Sequence, residues 1–224
     1  DTAPTELYTL SLHDALPIWL FPERGYYDTG IGDIAREAGI GRASFYYHFE
    51  DKEKAARALF DSYVDRIYRA ADSLAPVPPL GDGPMTDPEA FILNTFIKYI
   101  LLFRYIALNE ATHAVYYDLV DFSAYDAVNM NRLKRTTYRG TPALAAAYGK
   151  PMTDSGLVAF IVTTNVVAKS VLRAILNGTL SFSLREAMDF FCAHAVLPDI
   201  PVPEPQYRAL LSRAFELCDG ITLD

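Results

Sequence analysis

Residues 38 to 49 read AGIGRASFYYHF, and the seven from Arg42 to His48 gather a guanidinium, a serine hydroxyl, two phenols and an imidazole. Such groups donate and accept hydrogen bonds and offer aromatic edges, the chemistry that reaches bases and phosphates of a duplex. On a helical wheel, Phe45 and Phe49 fall one turn apart and form an inner face. The opposite face presents Ala43, Ser44 and Tyr47, with Arg42 at its start and Tyr46 and His48 on its flanks. A solvated face normally carries lysine and glutamate; small residues and hydroxyls instead permit close approach to a groove. An αα corner with a purely structural role has the same outline, so these residues alone leave both readings open.

The elements around this run are helical. Ile31, Ile34, Ala35 and Ala38 recur at helical spacing and Gly39 follows them, which predicts a two-turn helix with a glycine stop. A second short helix is expected from about Arg42 to Phe49. Asp51 is placed to cap a third, over about 52 to 75, where Ala56, Leu59, Phe60, Tyr63, Val64, Ile67, Ala71 and Leu74 keep the apolar stripe. The run APVPPLGDGPMTDP, 75 to 88, is too dense in proline for helix and reads as a connection. Further helices are expected at about 88 to 111, 113 to 136, 154 to 177, 185 to 197 and 204 to 218, with a possible short one over 142 to 148. The fold class is therefore all-α.

Composition narrows the function classes. With 51% apolar and 21% charged residues over 224 positions, the chain is globular and long enough to fold without disulfide or metal support. Its formal charge of -8 gives no bulk attraction for nucleic acid or anionic membrane, so DNA binding must come from a local surface. No GxSxG, P-loop, dinucleotide or HExxH pattern occurs, and His13, His48, His113 and His194 form no catalytic constellation, so no enzyme is expected. Cys192 and Cys218 lack metal-ligand spacing and read as reduced, buried thiols of a cytoplasmic protein; no metal or cofactor is expected. The apolar run 91 to 108 contains Asn94, Lys98 and Arg104, which makes it a buried helix and not a membrane span. Residues 1 to about 17 start without methionine and are broken by His13, Asp14 and Pro17, and they read as a fragment end, a cloning remnant or a sequence error.

The stretch from Leu20 to Phe60 resembles the DNA-binding domain of the tetracycline-repressor (TetR) family. Its features stand in the family's order: LF…RGY closing helix one, TGIGDIA…AGI across helix two and the turn, SFYYHF in helix three, and DKE opening helix four. The resemblance implies a helix-turn-helix DNA-binding domain, residues 1 to 51, followed by a larger helical effector-binding and dimerisation domain, residues 52 to 224. It implies a homodimeric transcription factor, usually a repressor, that leaves its double-stranded DNA operator when a small-molecule effector binds. Carried over by position, Arg42, Ala43, Ser44 and Tyr47 face base edges, while Thr29, Tyr46, His48 and Lys52 face phosphates. The chain differs from the family pattern at Gly30, where a serine or threonine is common, and in having Pro17 and Pro22 in the region of helix one. Charges between 31 and 57 balance, with five basic residues against five acidic ones, so specificity must rest on base contacts worth about 1 to 3 kcal/mol each.

In the second domain, aromatic residues at helical spacing suit either plain core or a ligand box. Polar residues interrupting that apolar path would orient a small apolar or aromatic effector. The candidate set is Phe96, Tyr99, Phe103, Asn109, Glu110, His113 and Tyr117. Glu110 and His113 also have i, i+3 spacing, but no second pair accompanies them, so a metal is not expected. Helix 154 to 177 places Gly156, Ala159, Thr163, Thr164, Ala168 and Ser170 among large apolar residues, and with helix 185 to 197 it is the candidate dimer interface. A helical small-molecule-binding dimer without effective DNA binding is the alternative reading.

Overall fold

The computed structural model describes residues 20–77, 87–107 and 140–221, and these are helical with no strand among them. The first three elements are short: α1 (Leu20–Asp28), α2 (Ile31–Glu37) and α3 (Arg42–His48). Gly25 breaks α1 with φ 78° and ψ 161°, a left-handed conformation that a side chain would resist. At the N-terminus of α2 the Gly30 amide donates to Asp33 Oδ2, while Arg36 holds Oδ1 of the same carboxylate. The α2 to α3 turn closes as a Schellman motif: Ile40 N–H donates to Ala35 O and Gly39 N–H to Arg36 O, with Gly39 at φ 65°. The glycine stop expected after Ala38 is therefore present.

The long helices follow. Asp51 caps α4 (Lys52–Leu74) by accepting the Lys54 amide at 2.7 Å. The next is α5 (Pro88–Ala107), in which Ile97, Ile100, Leu101 and Phe103 are fully buried. An apolar helix of this kind must be surrounded, and α4, α6 (Thr141–Ala147), α7 (Asp154–Leu176), α8 (Leu184–Phe191) and α9 (Glu204–Cys218) all pack on it. Besides α4, two of these start with side-chain caps: Thr153 accepts the Gly156 amide, and Ser183 forms a reciprocal capping box with Glu186. The single helix expected over 185 to 197 is α8 followed by one π turn, Cys192–Val196, where Leu197 N–H reaches back five residues to Cys192 O. The helix expected over 113 to 136 lies outside the described residues.

Polar contacts tie the second-domain helices together where apolar packing alone would allow sliding. The buried Asn94 amide of α5 donates to Asp72 Oδ1 at 2.9 Å and to Ala75 O at 2.8 Å, at the C-terminal end of α4. Lys98 lies one turn further on, 3.2 Å from Asp72 and 4.5 Å above the Tyr68 ring. Burial pulls the Lys98 ammonium below the ordinary lysine range, and Asp72 pushes it back. At the other end of α5, Arg104 donates to the Cys218 carbonyl at 2.6 Å, which satisfies an oxygen at the end of α9.

Gly140 shows how closely the α6 entry approaches α5. A Cβ built on it would stand 2.3 Å from Cε2 of the Phe91 ring. Gly140→Ala is expected to displace that ring and lower stability by about 1 to 3 kcal/mol, the usual range for overpacking. Urea unfolding of the two proteins checks this, and equal midpoints would refute it.

Candidate functional site

The rotation of α3 follows from two rings. Phe45 is fully buried and Phe49 is 7% exposed, with ring centroids 5.6 Å apart, and both face Ile34 and Ala35 in one continuous core. This orientation turns Arg42, Ala43, Ser44, Tyr46 and Tyr47 outward, all exposed, Tyr47 at 79%. His48 is half-buried, with its ring edge-on to Tyr47 at 5.1 Å. The wheel drawn from the sequence therefore matches the observed faces, and six of the eight residues expected at DNA form one continuous outward surface.

Arg42 lies across the start of α2. The position a Cβ would take on Gly32 is 3.7 Å from its Nε, so a glycine there leaves the guanidinium room to lean on the neighbouring helix. Arg42 makes no ion pair among the described residues, whereas Arg36 is paired with Asp33. The guanidinium of Arg36 holds the Asp33 carboxyl below the usual carboxylate range, with the Gly30 amide adding to it. Of the arginines on α2 and α3, then, Arg42 keeps its donors for an external acceptor.

Two residues expected at phosphates make intramolecular contacts instead of standing free. Thr29 is fully buried, and its hydroxyl donates to Gly25 O at 2.7 Å, with Leu20 O at 3.2 Å. It serves the carbonyls exposed by the Gly25 break, and its side chain is turned inward. Lys52 is half-buried, and its ammonium donates to Tyr26 O at 2.8 Å and reaches Tyr27 O at 3.4 Å over the Tyr26 ring. Its positive charge is directed at the end of α1. The Tyr26 phenol is pushed up to about 12 by burial, with Glu53 and Asp51 adding to the shift. Sequence reasoning missed Tyr26 and Tyr27; the only signal was their place after Gly25, where a helix end leaves free carbonyls.

The second-domain candidates divide differently. A cavity of about 30 Å³ lies between α5, α6 and α7 and the π turn, and Phe96 and Tyr99 line it together with Phe91, Thr141, Phe160 and Thr164. Among the described residues no charged side chain lines it. Thr95 and Thr164, also in its wall, donate their hydroxyls to carbonyls of their own helices, leaving methyl groups and oxygen lone pairs for the cavity. Phe103 does not line this cavity and is fully buried in an aromatic cluster, with Phe191 at 5.8 Å and Tyr99 at 6.3 Å. Asn109, Glu110, His113 and Tyr117 lie outside the described residues. Cys192 and His194, close in sequence, are set apart in environment: burial pushes the Cys192 thiol up to about 12, while His194 is exposed and stacks on Phe190 at 4.2 Å.

Comparison with known proteins places this arrangement. Residues 19–61 match the family model described as bacterial regulatory proteins, tetR family. The biofilm operon icaADBC HTH-type negative transcriptional regulator IcaR of Staphylococcus epidermidis is 32% identical over 102 residues, 44% of this chain and 52% of that protein. The HTH-type transcriptional regulator TtgR of Pseudomonas putida is 34% identical over 96 residues, 42% of this chain and 43% of that protein. The match to these curated relatives thus spans about half of their length. A TetR-like transcriptional regulator from Rhodococcus sp. RHA1 superposes with a TM-score of 0.50 at 15% identity, covering 87% of this chain and 97% of that one, which is a likeness of fold. With α1 to α3 and the start of α4 inside the matched segment, and the outward face of α3 in the expected register, residues 19–61 form a helix-turn-helix segment of the kind the tetR family model describes.

Proposed function

We propose that the protein is a DNA-binding transcriptional regulator of the cytoplasm, a homodimeric repressor released from its operator by a small apolar or aromatic effector, and not an enzyme. The observation that carries this reading is the exposed face of α3. Arg42, Ser44, Tyr46 and Tyr47 are exposed on one short helix whose opposite side is locked in the core. A helix so anchored presents base-reading groups in fixed geometry, and its two copies in a dimer must stand about 34 Å apart to meet successive major grooves. The first domain on this reading is 1 to 51, and α4 carries the connection into 52 to 224.

The size of the cavity decides how an effector would act. At about 30 Å³ it has room for roughly two waters. Parting α5 from α6 or α7 would make room for a larger effector. The residues that line it from α5 share that helix with Asn94 and Lys98, which grip α4. A ligand-driven shift of α5 thus has a route to α4, and an uncharged, largely apolar molecule suits the lining.

The dimer surface is supported by α7. Val158, Val162 and Val166 are about half exposed along one stripe, and Phe190 of α8 is exposed at 39%. By length and hydropathy α7 passes the test for a membrane span, but Phe160, Ile161, Thr164, Ala168, Val171 and Leu172 turn one side of it into the core. Covering the remaining stripe with a second copy accounts for both sides.

Two outcomes test this reading. In selection from a random duplex pool, Tyr47→Ala and Ser44→Ala are expected to change the sequence preferred, each at a cost of about 1 to 3 kcal/mol on the parent's operator; an unaltered preference in both would refute the reading face. Val162→Glu is expected to shift the sedimentation coefficient from dimer to monomer and to weaken operator binding with it. A Val162→Glu protein that remained dimeric would place the interface elsewhere.

A further inference from the structure

Two threonines stand in the wall of the cavity between α5, α6 and α7: Thr95 on α5 and Thr164 on α7. The rings of Phe91, Phe96, Tyr99 and Phe160 supply much of the rest. Thr164 is 3% exposed, so bulk water does not satisfy its oxygen. In an apolar site of this kind the rings set the body of a fitting ligand, and the few polar atoms set its orientation.

A hydroxyl has one hydrogen and two lone pairs. Thr95 Oγ1 donates its hydrogen to Phe91 O at 2.8 Å. Thr164 Oγ1 directs its hydrogen to Phe160 O at 2.8 Å, with Ile161 O at 3.0 Å. Each acceptor is a carbonyl of the same helix three or four residues back, the usual back-bond of a helical threonine. Both oxygens are then left with lone pairs alone. A ligand N–H or O–H finds a ready acceptor there. A ligand carbonyl or ether oxygen finds a hydrogen already engaged, which must leave its backbone partner to serve the newcomer. A carboxylate or an ammonium would enter without a counter-charge among the described wall residues, at a large desolvation cost.

We infer that the cavity selects among uncharged aromatic molecules by the direction of their hydrogen bond. It takes those with an N–H or O–H donor at the ring edge and disfavours isosteres with an acceptor there, Thr95 and Thr164 being the accepting groups. This deepens the effector reading above and rests on it, since admitting a molecule of that size would part α5 from α6 or α7.

Indole, benzofuran and indene share a bicyclic shape and differ at a single ring atom, which is a donor, an acceptor and a carbon in turn. Calorimetric titration of the whole chain gives their dissociation constants in the parent, Thr95→Val, Thr164→Val and Thr164→Ser. Valine keeps the shape of threonine and removes the acceptor; serine keeps the acceptor and removes the methyl group. Taking each affinity relative to indene cancels changes in packing. On that scale indole is expected to weaken roughly two- to tenfold in at least one valine variant, the effect of one neutral hydrogen bond. Benzofuran is expected to hold its parent ratio throughout, and Thr164→Ser to hold both ratios.

An indole ratio unchanged in both valine variants would overturn the donor preference, as would a benzofuran ratio that falls with it. A Thr164→Ser protein that behaves like Thr164→Val would trace the loss to the methyl group and overturn it as well. In those cases the probes still bind, and the effector reading stands. If none of the three binds the parent up to its solubility limit, the effector reading and the donor preference fall together. Circular dichroism verifies folding, and Thr95→Val, at a half-buried position, carries the comparison if Thr164→Val does not fold.

Discussion

The burial of Phe45 is the constraint on which the rest depends. A residue on an α-helix is 100° from its neighbour, so fixing one side chain in the core fixes where all others point. With no exposed surface on Phe45 and Phe49 one turn behind it, α3 has a single rotation that buries both rings against Ile34 and Ala35. Burying a phenylalanine contributes roughly 1.5 to 3 kcal/mol, more than any rotation exposing the rings would recover from the hydroxyls opposite. The outward set is thus a consequence of the inward one. The Schellman closure at Gly39 and Ile40 then sets the angle at which α2 delivers α3.

The N-terminal elements are small and would be marginal alone, since seven-residue helices lie well below the length at which helix is stable in water. Their stability comes from packing and from careful closure of helix ends. Gly25 opens a gap in α1, Thr29 and Lys52 satisfy the carbonyls it frees, Asp33 reaches the Gly30 amide, and Asp51 starts α4. Each is a local answer to an unpaired backbone group. Together they make α1 and α4 a continuous frame behind the outward face of α3.

In the larger domain α5 is the hub. One stretch of it lines the cavity, another grips α4 through Asn94 and Lys98, and its C-terminal end caps α9 through Arg104. The buried Asn94 amide would cost several kcal/mol without partners, so both of its donated bonds specify the register of α4 on α5. Apolar contacts around them permit small slides; the polar pair does not. The cavity wall and the grip on α4 thus share one helix.

Periodicity and turn residues sufficed for the all-α class, for the limits of α4, α7 and α9 to within a residue, and for the outward face of α3, because each depends on near neighbours in the chain. Gly39, Asp51, Thr153 and Ser183 announce their turns and caps in the same local way. The sequence was also sufficient to separate Phe45 and Phe49 from Ser44 and Tyr47. Long-range pairing decided the rest. Thr29 has the right type and place for a phosphate contact, but Leu20 O, nine residues back, draws it inward. Lys52 reads as a cation open to solvent until the end of α1, 26 residues earlier, arrives beside it. Phe103 is an aromatic like Phe96, and only the positions of Tyr99 and Phe191 make one a closed core ring and the other a cavity wall. Composition states what a side chain is able to bind; which partner it holds depends on what the folded chain brings within about 3 Å of it, and that distance is not written in local sequence.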